Sequence, residues 1–155
     1  MAKHKVLYLA YDGMTDPLGQ SQVLSYLREL SKQNFSCHVV SFEKPEVYDL
    51  RKELIHDFIK DCDVHWHPLT YHKSPPILST VYDNYLAWKK IKELYRAHNF
   101  EIIHCRGYTL TSLGVRAKKK YGSKFIFDMR GWWPDEKMES GLWSSPVYTP
   151  IYYYF

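Results

Sequence analysis

The 155-residue sequence predicts an α/β protein, a doubly wound parallel sheet in three α/β/α layers. Three observations carry that prediction. Five short apolar runs are continuous rather than alternating, which suits parallel strands covered on both faces. Segments of helical periodicity separate each run from the next. Strict alternation of the two favours right-handed crossovers within one sheet.

The first strand is Val6 to Ala10, followed by the loop Tyr11 to Gly19. In Gln20 to Lys32, the apolar positions Val23, Leu24, Leu27 and Leu30 share one face of a helix. His38 to Phe42 is the second strand and Val47 to Lys60 the second helix, with Leu50, Leu54, Ile55, Phe58 and Ile59 expected inward. Val64 to Trp66 is the third strand, and the proline-containing stretch His67 to Pro76 the one long loop. The third helix, Ile77 to His98, is expected to bury Val81, Tyr85, Trp88, Ile91 and Tyr95. Glu101 to Cys105 is the fourth strand. Leu110 to Lys120 is the fourth helix, whose Leu113, Gly114 and Ala117 allow close contact with the sheet. Lys124 to Phe127 is the fifth strand. The aromatic ending SPVYTPIYYYF reads as a terminal helix packed on the core or as a segment leading out of the domain.

One ordinary domain accounts for the length. Cys37, Cys62 and Cys105 are an odd number at wide spacing, so they suggest neither a disulfide framework nor a zinc site. Reduced thiols and a cytoplasmic location are expected. The start MAKHKVLYLAYDG has too short an apolar run for a signal-peptide core, and nothing approaches the ~20 apolar residues of a membrane span. A net charge of +4 is too small to argue for a nucleic-acid partner.

In an open parallel sheet, ligands bind beyond the carboxyl ends of the strands. The loops there are Tyr11 to Gly19, Glu43 to Pro45, Pro68 to Pro76, Arg106 to Tyr108 and Asp128 to Lys137. Gly19, Gln20 and Ser21 open the first helix, where unpaired backbone N–H groups and the helix dipole favour a phosphate; Gly19 serves equally to turn the chain. His65, His67 and His72 lack a known metal-ligand spacing and read as packing residues, so no metal is expected. Arg116, Lys118, Lys119, Lys120 and Lys124 form a basic cluster, read either as a solvated helix end or as a contact with anionic membrane.

The stretches "DGMTDPLGQSQVLSYLRELS", "VVSFEK", "IIHCRGY" and "FDMRGWWPDEKMESGLW" resemble the N-terminal domain of family 4 glycosyltransferases of the GT-B fold. The resemblance covers essentially the whole chain. It implies the acceptor-side half of a pair of Rossmann-like domains facing across a cleft. The donor-binding C-terminal domain would lie outside this chain, leaving this half inactive alone. It also implies a retaining transfer, without metal or cofactor, from a nucleotide-diphosphate sugar to a hydroxyl of a glycan, lipid or small molecule. Cell-envelope polysaccharide synthesis in the cytoplasm, with peripheral contact to the inner face of a membrane, would fit that chemistry.

The family's Gly-Gly pair reads Leu18-Gly19 here, which assigns Gly19, Gln20 and Ser21 to the donor phosphates. A histidine-glycine pair common in the family after the fifth strand reads Arg130-Gly131. By the resemblance, Arg130 sits at the reacting sugar; if the fifth strand continues that far, Asp128 shares its side and orients the guanidinium by a salt bridge, or the pair only pins the loop. Arg106, Tyr108, Trp132 and Trp133 are expected to line the acceptor groove, the two tryptophans serving equally as packing under the loop. A stand-alone flavodoxin-like binding module without catalysis is the alternative reading.

Overall fold

The computed structural model describes residues 3–131, 133–141 and 146–154. Strands β1 (His4–Ala10), β2 (Phe35–Glu43), β3 (Val64–Thr70), β4 (Ile102–Arg106) and β5 (Lys124–Asp128) form a wholly parallel sheet in the order β3-β2-β1-β4-β5. A π-helical turn, Gly19–Leu24, runs into α1 (Ser25–Ser31), and α2 (Pro45–Ile59), α3 (Leu78–Ala97) and α4 (Thr111–Tyr121) follow. Shorter pieces come after β5: α5 (Trp133–Glu139), a 3-10 turn at Pro146–Tyr148 and α6 (Thr149–Tyr154). Among the described residues no helix is long and apolar enough to cross a membrane.

The period of two along each strand divides the core. Val6, Tyr8 and Ala10 pack with Val23, Leu24 and Leu27, and with Ile55 and Ile59 of α2. Leu7 and Leu9 face the other way, onto Ala87, Trp88, Ile91 and Leu94 of α3 and onto Leu113 and Ala117 of α4. The result is the predicted three-layer, doubly wound arrangement. Its fourth helix sits close: a Cβ on Gly114 would stand 2.2 Å from Cys105 Sγ and 2.8 Å from the Phe125 ring.

Three expectations are corrected. The stretch His67 to Pro76 is not all loop, because β3 continues to Thr70 through Pro68. As an edge strand, β3 tolerates a residue without an N–H on its outer side. Leu50 and Leu54 are exposed, since α2 lies along that edge and buries only the narrow line of Ile55 and Ile59. Val81 and Tyr85 are exposed too. The buried line of α3 passes instead through Ser79, Asp83, Ala87, Ile91 and Leu94, because Asp83 turns inward to meet two hydrogen-bond donors. Of the aromatic ending, Tyr153 of α6 is exposed.

The histidines of β3 join a cluster near the amino edge of the sheet. His38 Nδ1 lies 3.0 Å from His67 Nε2, and the rings of His65 and His98 approach that of His38 at 4.5 and 4.3 Å. Burial, reinforced by the neighbouring histidines, pushes His38 down to about 3; burial, helped by Lys90 and His65, takes His67 down to about 4. Among the described residues, no group of three or more His, Cys, Asp or Glu side chains is arranged to hold a metal ion.

Candidate functional site

Strand order reverses beside β1, whose neighbours β2 and β4 send their crossover helices to opposite faces. A crevice therefore opens at the carboxyl ends of β1 and β4. The loop after β1 is held there by Glu43, the last residue of β2. Its buried carboxylate accepts hydrogen bonds from Met14 N–H (2.8 Å), Thr15 N–H (3.0 Å), the Thr15 hydroxyl (2.5 Å) and the Ser41 hydroxyl (2.5 Å). Ser41 is oriented in turn by the Trp66 indole N–H, at 2.9 Å. Arg51 donates to Thr15 O at 3.0 Å, and Lys44 pairs with Asp16 at 2.9 Å. The loop is thus built around an internal carboxylate, which the sequence signals only by placing an acid at the end of an apolar run.

A second buried carboxylate supports the cleft wall. Asp83 of α3 accepts the Tyr11 hydroxyl at 2.8 Å and His72 Nδ1 at 2.6 Å. Burial, and then that bond to Asp83, raises the Tyr11 hydroxyl well above the usual phenol range, so it remains a donor.

Two ion pairs lie at the crevice. Arg106 on β4 meets Asp128, its register partner on β5, at 2.9 Å. The same guanidinium also donates to Gln22. Arg130 meets Asp12 at 2.6 Å, linking the loop after β5 to the loop after β1. The expected Asp128–Arg130 pair does not form. Strand β5 ends at Asp128, so the alternation that would place residue 130 on the same side stops there. Asp12, the partner Arg130 takes instead, went unassigned in the sequence.

Between the loops and the first turns of α3 and α4 lies a cleft of about 1340 Å³. Tyr11, Tyr71, Tyr108 and Phe127 give it aromatic surface; Thr80, Asn84, Thr109, Thr111 and Ser112 give it hydroxyls and an amide. Arg130 and Glu136 add opposite charges. The Tyr108 hydroxyl donates to Gly131 O at 2.8 Å and its ring lies edge-on to Phe127, which ties the β4 and β5 loops together.

Of the residues singled out in the sequence, Arg106, Tyr108 and Arg130 are brought to this cleft. Asp128 stands behind it, on Arg106. Trp132 lies outside the described residues, as does the side chain of Trp133. Gly19, Gln20 and Ser21 are not among the cleft's lining residues. Helical backbone begins at Pro17, ahead of the expected start. The Gln20 N–H is consequently bonded to Asp16 O at 3.1 Å, and the Ser21 hydroxyl to Pro17 O at 2.8 Å. Gly19 has a packing reason to be glycine: a Cβ would lie 2.1 Å from Gly13 O and 2.8 Å from Met14 Cα.

A wholly parallel α/β domain with a polar and aromatic cleft at its switch point is of the Rossmann-like class. The chain belongs to glycosyltransferase family 4, whose sequence profile matches residues 19–155. No curated protein sequence matches it. Among solved structures, it is similar to the C-terminal domain of a hydrogenase from Pyrococcus furiosus. One structure of that domain gives a TM-score of 0.59 at 16% identity, covering 83% of this chain and 94% of that one. A second gives 0.57 at 15% identity, covering 82% and 93%. At such identity the likeness shows the fold alone. MurG of Acinetobacter baumannii aligns with a TM-score of 0.46 at 13% identity, over 80% of this chain and 34% of that one.

Proposed function

We propose that this domain is the acceptor-side wall of a retaining glycosyltransferase, which moves a sugar from a nucleotide-diphosphate sugar to an acceptor hydroxyl. The observation that carries the reading is the cleft at the carboxyl edge, where hydroxyl, amide and aromatic groups surround Arg130. Aromatic faces suit the apolar faces of a sugar ring, and the hydroxyls and amide suit its OH groups. Trp132 and Trp133, which directly follow Gly131, would add stacking surface.

Departure of a nucleoside diphosphate builds negative charge, and a guanidinium aimed at that charge lowers the barrier. Arg130 has that role in this reading; Arg106 holds the β4 loop, and Asp128 positions Arg106. Gly19 enters through the loop it packs against rather than through open amides. A second domain would bring the donor and close the cleft, since catalysis by positioning needs both walls.

The test is Arg130→Lys in the enzyme carrying both domains, assayed with a panel of nucleotide sugars and hydroxyl acceptors. Lysine keeps the charge and loses the planar fork. A fall in kcat of about 100-fold, with melting temperature and acceptor affinity unchanged, is expected. Parallel loss of stability and activity would assign Arg130 to the scaffold with Asp12. Wild-type enzyme that transfers no sugar from any donor in the panel would remove the reading.

A further inference from the structure

Helix α3 has an outer face that the core does not explain. Leu78, Val81, Tyr82 and Tyr85 fall at i, i+3, i+4 and i+7, a single stripe. They are 67%, 62%, 49% and 61% exposed. Ile77 precedes them, also exposed, and the rings of Tyr82 and Tyr85 lie near-parallel at 6.4 Å. Continued at the same spacing, the stripe becomes basic, with Lys89, Lys92 and Arg96. Of the carboxylates of α3, Asp83 is buried, whereas Glu93, four residues after Lys89, is exposed on this face and is paired with Lys90 at 2.9 Å. Helix α4 extends the positive flank, because Arg116 and Lys120 lie over the Trp88 ring at the α3–α4 seam, at 4.3 and 5.9 Å.

We propose that this face of α3 seats the domain on an anionic lipid bilayer. Leu78, Val81, Tyr82 and Tyr85 enter the boundary between head groups and acyl chains, and Lys89, Lys92, Arg96, Arg116 and Lys120 meet anionic head groups. A helix with large apolar side chains at one end of its outer stripe and, along the rest, three cations beside one carboxylate already paired with Lys90 matches that interface in both polarity and net charge. Tyrosines suit the same depth, their rings apolar and their hydroxyls wet. A second copy of the chain fits less well, because it would bring an identical cationic stripe to the same face. The apolar end adjoins the cleft, whose lining includes Ile77, Thr80, Val81 and Asn84. Combined with the transferase reading, on which this step alone rests, that position presents the cleft to an acceptor carried on a lipid.

The test is co-sedimentation of the 155-residue chain with vesicles of neutral phosphatidylcholine, and with vesicles that also contain phosphatidylglycerol. Binding to the anionic vesicles, weakened by salt, is expected. Lys89→Glu with Lys92→Glu should weaken it at least about 25-fold, at roughly five-fold for each charge removed. Val81→Ser with Tyr85→Ser should weaken it at least about ten-fold. All four side chains are partly or fully exposed, so melting temperatures should match wild type and exclude misfolding. Equal binding to neutral and anionic vesicles, absence of binding, or variants that bind like wild type would each overturn the proposal. So would self-association abolished by the Val81 and Tyr85 changes without any vesicle binding, which would give the stripe to a second copy. None of these readings depends on transferase activity.

Discussion

Replacing Glu43 by Gln is the sharpest probe of how the crevice is built. The substitution keeps the shape and exchanges one carboxylate oxygen for an NH₂ group. Ser41 already accepts the Trp66 indole N–H and gives its own hydrogen to Oε1, the oxygen that Met14 N–H also uses. The new NH₂ therefore turns toward the Oε2 side, where Thr15 supplies both donors. The Thr15 hydroxyl can rotate to accept, but its backbone N–H then loses its acceptor. An unsatisfied buried donor costs roughly 1–3 kcal/mol, and the remaining bonds fall from charge-assisted to neutral strength. Relief of burying a charge offsets part of this, leaving an expected net loss of about 3 kcal/mol. Urea unfolding at pH 7 measures the loss, and amide hydrogen exchange at Met14 and Thr15 locates it. A loss under about 1 kcal/mol, with exchange at both amides unchanged, would refute the reasoning that Glu43 holds the loop.

Gly19→Val should destabilise the domain by about 3 kcal/mol or more, because the added carbons meet backbone rather than a yielding side chain; equilibrium denaturation reads this, and a stable variant would return Gly19 to a role outside packing. Acid should weaken the fold through His38 and His67, whose folded-state pKa values of about 3 and about 4 lie below the ordinary 6.5. Between pH 6.5 and about 4 the unfolded chain binds protons that the folded chain does not, so stability is full above that window and falls as pH drops through it. From pH 7 to 5 the loss is about 2 kcal/mol for each of the two histidines. The groups facing this pair are His65, His98, Asp63, Lys90 and Glu93. His38→Leu should flatten the difference between urea midpoints at pH 7 and pH 5, and an unchanged difference would show that His38 is not the group being titrated.

The order of elements was legible because parallel strands buried on both faces need unbroken apolar runs, and Val6 to Ala10 or His38 to Phe42 admits little else. Which turn of a helix faces inward was less legible. Val81 and Tyr85 keep the period of a core stripe, yet a buried Asp83, satisfied by Tyr11 and His72, sets the rotation of α3 instead. That a cleft would open at this edge followed from topology alone, and three of the proposed residues line it. Their partners did not follow. Whether Arg130 meets Asp128 or Asp12 depends on the residue at which β5 stops, and strand ends are set by neighbouring strands rather than by local pattern. The role expected of the Gln20 amide failed for a similar reason, since the helix begins three residues earlier, at Pro17.

Because Glu43 fills the first loop with negative charge from within, an arriving phosphate would meet repulsion at Met14 and Thr15 instead of vacant amides. In the transferase reading proposed above, recognition of an anion at this edge would pass to Arg130, a half-exposed guanidinium already paired with Asp12. Capture would then be an exchange of counterions, in which the ligand displaces a carboxylate and Asp12 is returned to water. Before that exchange both guanidinium groups of the crevice are already paired, Arg106 with Asp128 and Arg130 with Asp12. Cations paired in this way would draw a polyanion chiefly at close range, which favours selection by fit over steering from afar.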